Sequence, residues 1–232
     1  MQKKSLLTVV LSLVLVAVIG VGSTLAYMSQ KTDPKHNVFT AGASLTGALK
    51  EQAFDGGDYN DTQDKIDSLT AADGLLDIPV LGFNRAKLVM PGRVIPKNPI
   101  VKNTSDSNKG TKAWVAIKLE AKFADDSNTR TALASILNIA TIDLDSTNWT
   151  DVAYSQDGKV AYFFYKTAID PQAETTHLFN NVTIKSGAAV TDLRDFSIDV
   201  TAALVQANGV DSIQKLDDAK PELVKLLTPV IS

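Results

Sequence analysis

Between Ser5 and Gln30 the chain carries no charged residue, and from Leu6 to Val21 apolar side chains run almost unbroken. Lys3 and Lys4 precede this run, Gly20 and Gly22 loosen its end, and Thr24-Leu25-Ala26 sets small residues just before Tyr27. A short cationic start, an apolar middle and a small-residue exit form the layout of a secretory signal peptide. Cleavage is expected between Ala26 and Tyr27. Read instead as a retained anchor, the uncharged run is long enough to span a bilayer. Both readings place the rest of the chain outside the cytoplasm. Residues 27–36 are polar, include Pro34 and His36, and form a flexible segment ahead of the first strand signal.

Further along, the pattern changes period repeatedly. Residues 37–49 are small and β-prone, and read as one strand. Residues 50–78 are acid-rich, with Asp55-Gly56-Gly57-Asp58 as a turn cluster and a weak amphipathic helix over 62–72, and read as a surface insertion. Pro79, Pro91, Pro96 and Pro99 exclude helix from 79–104 and restrict strands to short or edge pieces. Met90-Pro91-Gly92 is a type II turn signal.

Over 113–123, Val115, Ile117, Leu119, Ala121 and Phe123 alternate with Trp114, Lys118, Glu120 and Lys122. This predicts a strand with one buried and one wet face. Leu133, Ile136, Leu137 and Ala140 take helical spacing, so a helix is expected over 128–140. Gln156-Asp157-Gly158 between β-rich runs predicts a hairpin. A strand follows over 175–185, and another over 196–205 with Ile198, Val200, Ala202 and Leu204 inward. The segment 211–227 reads as helix, interrupted or restarted at Pro221.

Seven or eight short strands without βαβ alternation predict a mainly β protein. The expected form is an antiparallel β-sandwich or jelly roll with two or three helices in its connections. No linker divides the chain, so 37–232 is expected to be one domain, with insertions near 50–78 and 125–146.

Composition narrows the chemistry. The 232 residues include no cysteine, which removes disulfides, thiolate metal sites and a thiol nucleophile. The net charge is −3, and without Lys3 and Lys4 it becomes −5, so nucleic acid is not an expected partner. The only histidines are His36 and His177. They are the candidate zinc ligands, with Glu174 or Asp170 as a third, set against a reading of both as ordinary surface residues. There is no HExxH pair and no GxSxG elbow. Asp55, Asp58, Asp61, Asp64 and Asp67 offer oxygens for calcium, against a reading as a solvated acidic loop. Tyr162-Phe163-Phe164-Tyr165, Trp114 and Trp149 are either sugar-stacking rings or core. No catalytic residue is assigned, and no cofactor is expected beyond zinc or calcium.

Several stretches, in order, resemble one family. Thr24-Leu25-Ala26-Tyr27 followed by Asn37-Val38-Phe39-Thr40-Ala41-Gly42 resembles the start of the TasA/camelysin group. Met90-Pro91-Gly92 leading to Lys97-Asn98-Pro99-Ile100-Val101-Lys102-Asn103, Trp149 followed by Val160–Tyr165, and Ala203–Val210 agree with it. These are exported proteins of Gram-positive bacteria cut by a SipW-type signal peptidase. The resemblance implies a jelly roll and an extracellular role as a fibre subunit of the cell surface or biofilm matrix. It also implies self-association by donation of an N-terminal strand, here with Tyr27, Ser29 and Lys31 setting register. An anchoring surface protein is a further expected partner. Camelysin members carry a metalloendopeptidase label, which is the alternative activity. A glycan-binding surface module is the third.

Overall fold

The computed structural model describes residues 45–62, 65, 68, 81–87, 90–107, 110–123, 130–189, 193, 196–207 and 213–228, together with the backbone of 29–31 and 39–41. The export segment 1–26, the cleavage pair Ala26 and Tyr27, and His36 lie outside the described residues. Among the described residues no helix is long and apolar enough to cross a membrane.

The protein is mainly β, with antiparallel sheets and, among the described residues, four short helices. The strands are β1 (Ser29–Lys31), β2 (Phe39–Ala41), β3 (Leu45–Lys50), β4 (Val94–Pro96), β5 (Ile100–Asn103), β6 (Ala113–Phe123), β7 (Ala140–Ile142), β8 (Ala153–Tyr154), β9 (Val160–Phe164), β10 (Asn181–Ile184) and β11 (Phe196–Gln206). The helices are α1 (Gln52–Asp55), α2 (Gly82–Ala86), α3 (Leu133–Ile136) and α4 (Leu216–Leu227).

The largest sheet has the order β1-β11-β6-β9-β8. Its spine is the antiparallel pair β6–β11, in register from Ala113↔Gln206 to Phe123↔Phe196. Two three-stranded sheets, β4-β10-β7 and β2-β3-β5, face it. Backbone hydrogen bonds run between them: Lys97 N–H donates to Asn180, Leu178 N–H to Pro99 and Thr175 N–H to Val101. From the Pro96↔Asn181 pair to the Lys102↔Glu174 bridge, six steps on one run meet seven on the other, which is a bulge. The prolines explain this break. Pro96 and Pro99 lack the N–H that an unbroken ladder would use.

One hydrophobic core takes Val115, Ile117 and Leu119 from β6 and Val200 and Leu204 from β11. Leu45, Val101 and Ile184 enter it from the smaller sheets. The two sides approach closely at Gly47, where a Cβ would lie 2.4 Å from Leu204 Cδ1.

Several expectations change. The stretch 37–49 is two strands, β2 and β3, paired antiparallel with Phe39 opposite Gly47. The proline-rich stretch does hold a helix: α2 lies in its proline-free part and packs on β4. The Met90–Gly92 turn forms, with Arg93 N–H donating to Met90 and Gly92 at φ 77°. The helix expected over 128–140 is one turn, α3, because Ala140 already belongs to β7. The Asp157-Gly158 hairpin forms between β8 and β9, with Gly158 at φ 68°. α4 runs continuously through Pro221.

The 50–78 insertion is also less external than expected. Glu51 and Tyr59 are buried. Lys97 Nζ lies 2.8 Å from the Glu51 carboxylate and 4.3 Å over the Phe54 ring, tying α1 to the residue after β4. Of the expected helix over 62–72 little is described, but Thr62 Oγ1 accepts from the Lys65 N–H, the geometry of a helix cap.

The wet face expected on β6 is not wet. Trp114, Ala116, Lys118 and Glu120 are all under 9% exposed. Helix α4 covers one part of that face through Ala219, Leu223 and Leu227, which pack on Trp114, Ala116, Phe164, Ala203 and Val205.

Two tests follow from this arrangement. Ile117 is fully buried between the sheets. Ile117→Asp is expected to abolish folding, since a buried unpaired carboxylate costs several kcal/mol against a total stability of about 5–15 kcal/mol; a folded variant by circular dichroism contradicts the register. The second test is acid stability. Burial pushes the Asp143 carboxyl up, but bonds from the Asn181 amide and the Asn181 and Asn180 backbone outweigh it and hold the group below its usual range. Asp145 is held low by the Thr176 hydroxyl and the Asn148 amide. A depressed carboxyl adds stability above its unfolded pKa, about 3.9, and loses it as pH falls through the folded value. The urea midpoint should therefore hold down to about pH 5 and drop below about pH 4. Asp143→Asn with Asp145→Asn should make that drop shallower, and an unchanged slope removes these two groups as its cause.

Candidate functional site

The N-terminal strand sits at a sheet edge. β1 pairs antiparallel with β11, with Ser29 opposite Val205, Gln30 opposite Leu204 and Lys31 opposite Ala203. Two of the sequence-derived assembly residues, Ser29 and Lys31, are thus placed in an edge strand of the same chain. Tyr27 lies outside the described residues. β1 covers three positions of an eleven-residue strand. Along 196–202 no strand among the described residues pairs with β11 on that side. α4 lies against β1, β11, β6 and β9.

A second feature lies farther along the same outer face, where α4 stops. Lys118 Nζ is 2.6 Å from Glu120 Oε2, and the Arg130 guanidinium forms an ion pair with Glu120 Oε1 through Nε without a hydrogen bond to that oxygen. The Lys118 and Glu120 side chains are only 5% and 10% exposed. Lys122 and Asp199 pair across the strands at 3.1 Å. Beside this group the hairpin turn between β8 and β9, the rim of β9 and the end of α4 enclose a cavity of about 620 Å³. Thr201, opposite Lys118 in the ladder, is 1% exposed, and its hydroxyl has no hydrogen-bond partner among the described residues. Sequence reading missed the ion cluster because Lys118 and Glu120 look like the solvent positions of an alternating strand.

Of the metal candidates, His177, Asp170 and Glu174 are among the described residues. The His177 ring meets Asn180 Oδ1 through Nδ1 at 2.9 Å and Asn98 Nδ2 through Nε2 at 3.4 Å. Because Asn98 Oδ1 accepts the Ala53 N–H at 2.7 Å, its amide nitrogen is the group turned to His177. Both ring nitrogens are therefore engaged by amides. Asp170 pairs with Lys112, and the backbone of Glu174 bridges to that of Lys102. Among the described residues no three His, Asp or Glu side chains gather as a metal group. In the acidic loop, Asp55 accepts from Gly57 N–H, Asp58 from Tyr59 N–H and Lys50, and Asp61 from Asp58 N–H. Those carboxylates shape turns. Asp64 and Asp67 lie outside the described residues.

The aromatic candidates are core. Tyr162 and Phe164 lie under α4, and Phe163 belongs to the core between the sheets. Trp149 is 1% exposed, stacks edge-on with Tyr165 at 5.0 Å, and donates its indole N–H to Thr176 O. Trp114 donates to Ile213 O at 3.0 Å.

Comparison of the chain with protein-family models, curated proteins and solved structures gave no match.

The orphaned hydroxyl gives a sharp test. Thr201→Val keeps the shape and removes the unsatisfied group, so it is expected to stabilise the protein by about 1 kcal/mol. A lower melting midpoint in the variant means that the hydroxyl has a partner after all.

Proposed function

We propose that this is an exported structural protein of a Gram-positive cell surface or biofilm matrix, a jelly-roll β-sandwich that assembles into fibres by strand donation. The observation that carries the reading is the placement of β1. Among the described residues, the segment that follows the expected export signal pairs at a sheet edge through three residue pairs. So short a pairing holds few hydrogen bonds, and each contributes only about 0.5–1.5 kcal/mol net. The same segment from a neighbouring copy can take its place, making the same backbone pairs with β11. Backbone hydrogen bonds then supply affinity, and alternate side chains such as Ser29 and Lys31 supply register. Head-to-tail donation does not close on itself and yields open filaments.

Processing fits this scheme. A SipW-type signal peptidase cutting at Ala26–Tyr27 frees the donor segment, so assembly follows export. An anchoring surface protein would present the first acceptor edge. The resemblance to the TasA/camelysin group points to the same role. The metalloendopeptidase alternative has less support, since the ring nitrogens of His177 already meet Asn180 and Asn98.

Deletion of residues 27–36 is the test. Protein beginning at Tyr27 is expected to form filaments under negative-stain microscopy, and protein beginning at Asn37 to remain a folded monomer by light scattering and circular dichroism. If both polymerise alike, or the longer form never does across salt and pH, donation by this segment is wrong.

A further inference from the structure

The cavity beyond the end of α4 has walls of three chemical kinds. One wall is cationic. The Arg130 guanidinium forms an ion pair with Glu120 through Nε, its side chain is 39% exposed, and its two terminal nitrogens have no partner among the described residues. A guanidinium with both terminal nitrogens open is shaped for bidentate pairing with a carboxylate. The charge is also fixed in place: Glu120 holds the guanidinium by its inner nitrogen and is itself held by Lys118 at 2.6 Å. The cluster of Lys118, Glu120 and Arg130 carries one net positive charge.

The second wall is the β8–β9 turn. Ser155 donates its hydroxyl to Asp157 Oδ1, Lys159 N–H donates to the same oxygen, and Val160 N–H donates to Ser155 Oγ. This locks the turn and leaves Asp157 Oδ2 without a partner among the described residues, next to the exposed amide of Gln156. Both line the cavity. The third kind is neutral: the Tyr162 and Thr228 hydroxyls, 3.5 Å apart, with Val160 and Leu227 as apolar floor.

We propose that this cavity binds a carboxylate-bearing sugar, its carboxylate on the Arg130 guanidinium and its ring hydroxyls on Asp157, Gln156 and Thr228. The open positive group asks for an anion. Around it the cavity presents a carboxylate oxygen, an amide and hydroxyls, and sugar hydroxyls answer all three because they donate and accept. The apolar floor suits a face of ring C–H groups. A volume of about 620 Å³ falls in the range of small-molecule sites, commonly about 300–1,000 Å³, and exceeds the needs of a bare anion. The site lies on the β6–β9–β8 side of the large sheet, away from the β1 edge, so it does not depend on strand donation.

Isothermal titration of the full chain, held in mild detergent, with glucuronate, glucose, acetate and glutamate tests the assignment. Glucuronate is expected to bind, with glucose and acetate each weaker by about tenfold or more, the loss expected when a charge-assisted pair or the hydroxyl contacts are missing. Arg130→Gln should lower glucuronate affinity about tenfold, and Asp157→Asn should weaken glucuronate while leaving acetate unchanged. Circular dichroism checks that each variant folds. The two substitutions lie on different segments, so one remains informative if the other disturbs the fold. The proposal is overturned by no saturable heat with glucuronate or its dimer, or by equal affinity in both variants. Acetate binding as tightly as glucuronate would reduce the cavity to an anion site, and tighter glutamate would make it an amino-acid site; either overturns the sugar assignment.

Discussion

The β6–β11 ladder is the constraint on which the rest of the structure depends. Eleven consecutive residue pairs join these strands, and most positions on both faces are withdrawn from water. A sheet buried on both sides needs two covers. The smaller sheets supply one, bringing Leu45, Val101 and Ile184 onto Ile117, Leu119 and Leu204. α4 supplies the other, and fully burying a side chain such as Leu223 contributes about 1.5–3 kcal/mol. The order of the remaining elements then follows from who must cover what.

The second cover is too short for its task, and this shapes the outer face. Twelve helical residues span about 18 Å, while an eleven-residue strand extends about 37 Å. α4 touches four adjacent strands, which at roughly 4.8 Å spacing occupy about 14 Å, so it lies across the sheet rather than along it. It therefore shields only the end of the ladder carrying Trp114, Ala116, Ala203 and Val205. Beyond it come Lys118, Glu120 and Lys122 with Thr201 and Asp199 opposite. The four charged groups among these are paired rather than solvated, while the Thr201 hydroxyl has no partner among the described residues. Burying such pairs is at best weakly stabilising, since desolvation offsets most of the Coulomb gain. An apolar patch there would have been simpler for folding, so the polar end calls for a reason other than stability.

The strand register was readable from the alternation in 113–123 and 196–205, because a period of two is a direct record of the pleat. The hairpin at Asp157-Gly158 and the turn at Pro91-Gly92 were equally readable, since each needs a glycine at positive φ. What alternation does not record is a cover arriving from far along the chain. Trp114 and Ala116 are covered by α4, about a hundred residues later, while Lys118 and Glu120, which have the composition of a wet face, are paired with each other and with Arg130 beyond the helix. In the same way the helical spacing of Leu133, Ile136 and Leu137 is real but stops at one turn, because Ala140 is claimed by pairing with Ile184. The role of His177 was unreadable for a related reason. Its partners Asn98 and Asn180 belong to two runs joined only by the bulged pairing of the smaller sheets.

Exposed sheet edges are ordinarily blunted by charge, proline, bulges or a covering segment. β11 carries Asp199 and little else of that kind, and among the described residues β1 covers three of its positions. In the strand donation proposed above, the monomer and the strand-exchanged form make the same kind of backbone bonds and so would lie close in energy. Concentration and the freeing of the N-terminus would then decide between them. The charged cavity lies on the β6–β9–β8 side of the same sheet, away from β1, so the ligand capture and the strand donation proposed above would place no conflicting demands on the chain.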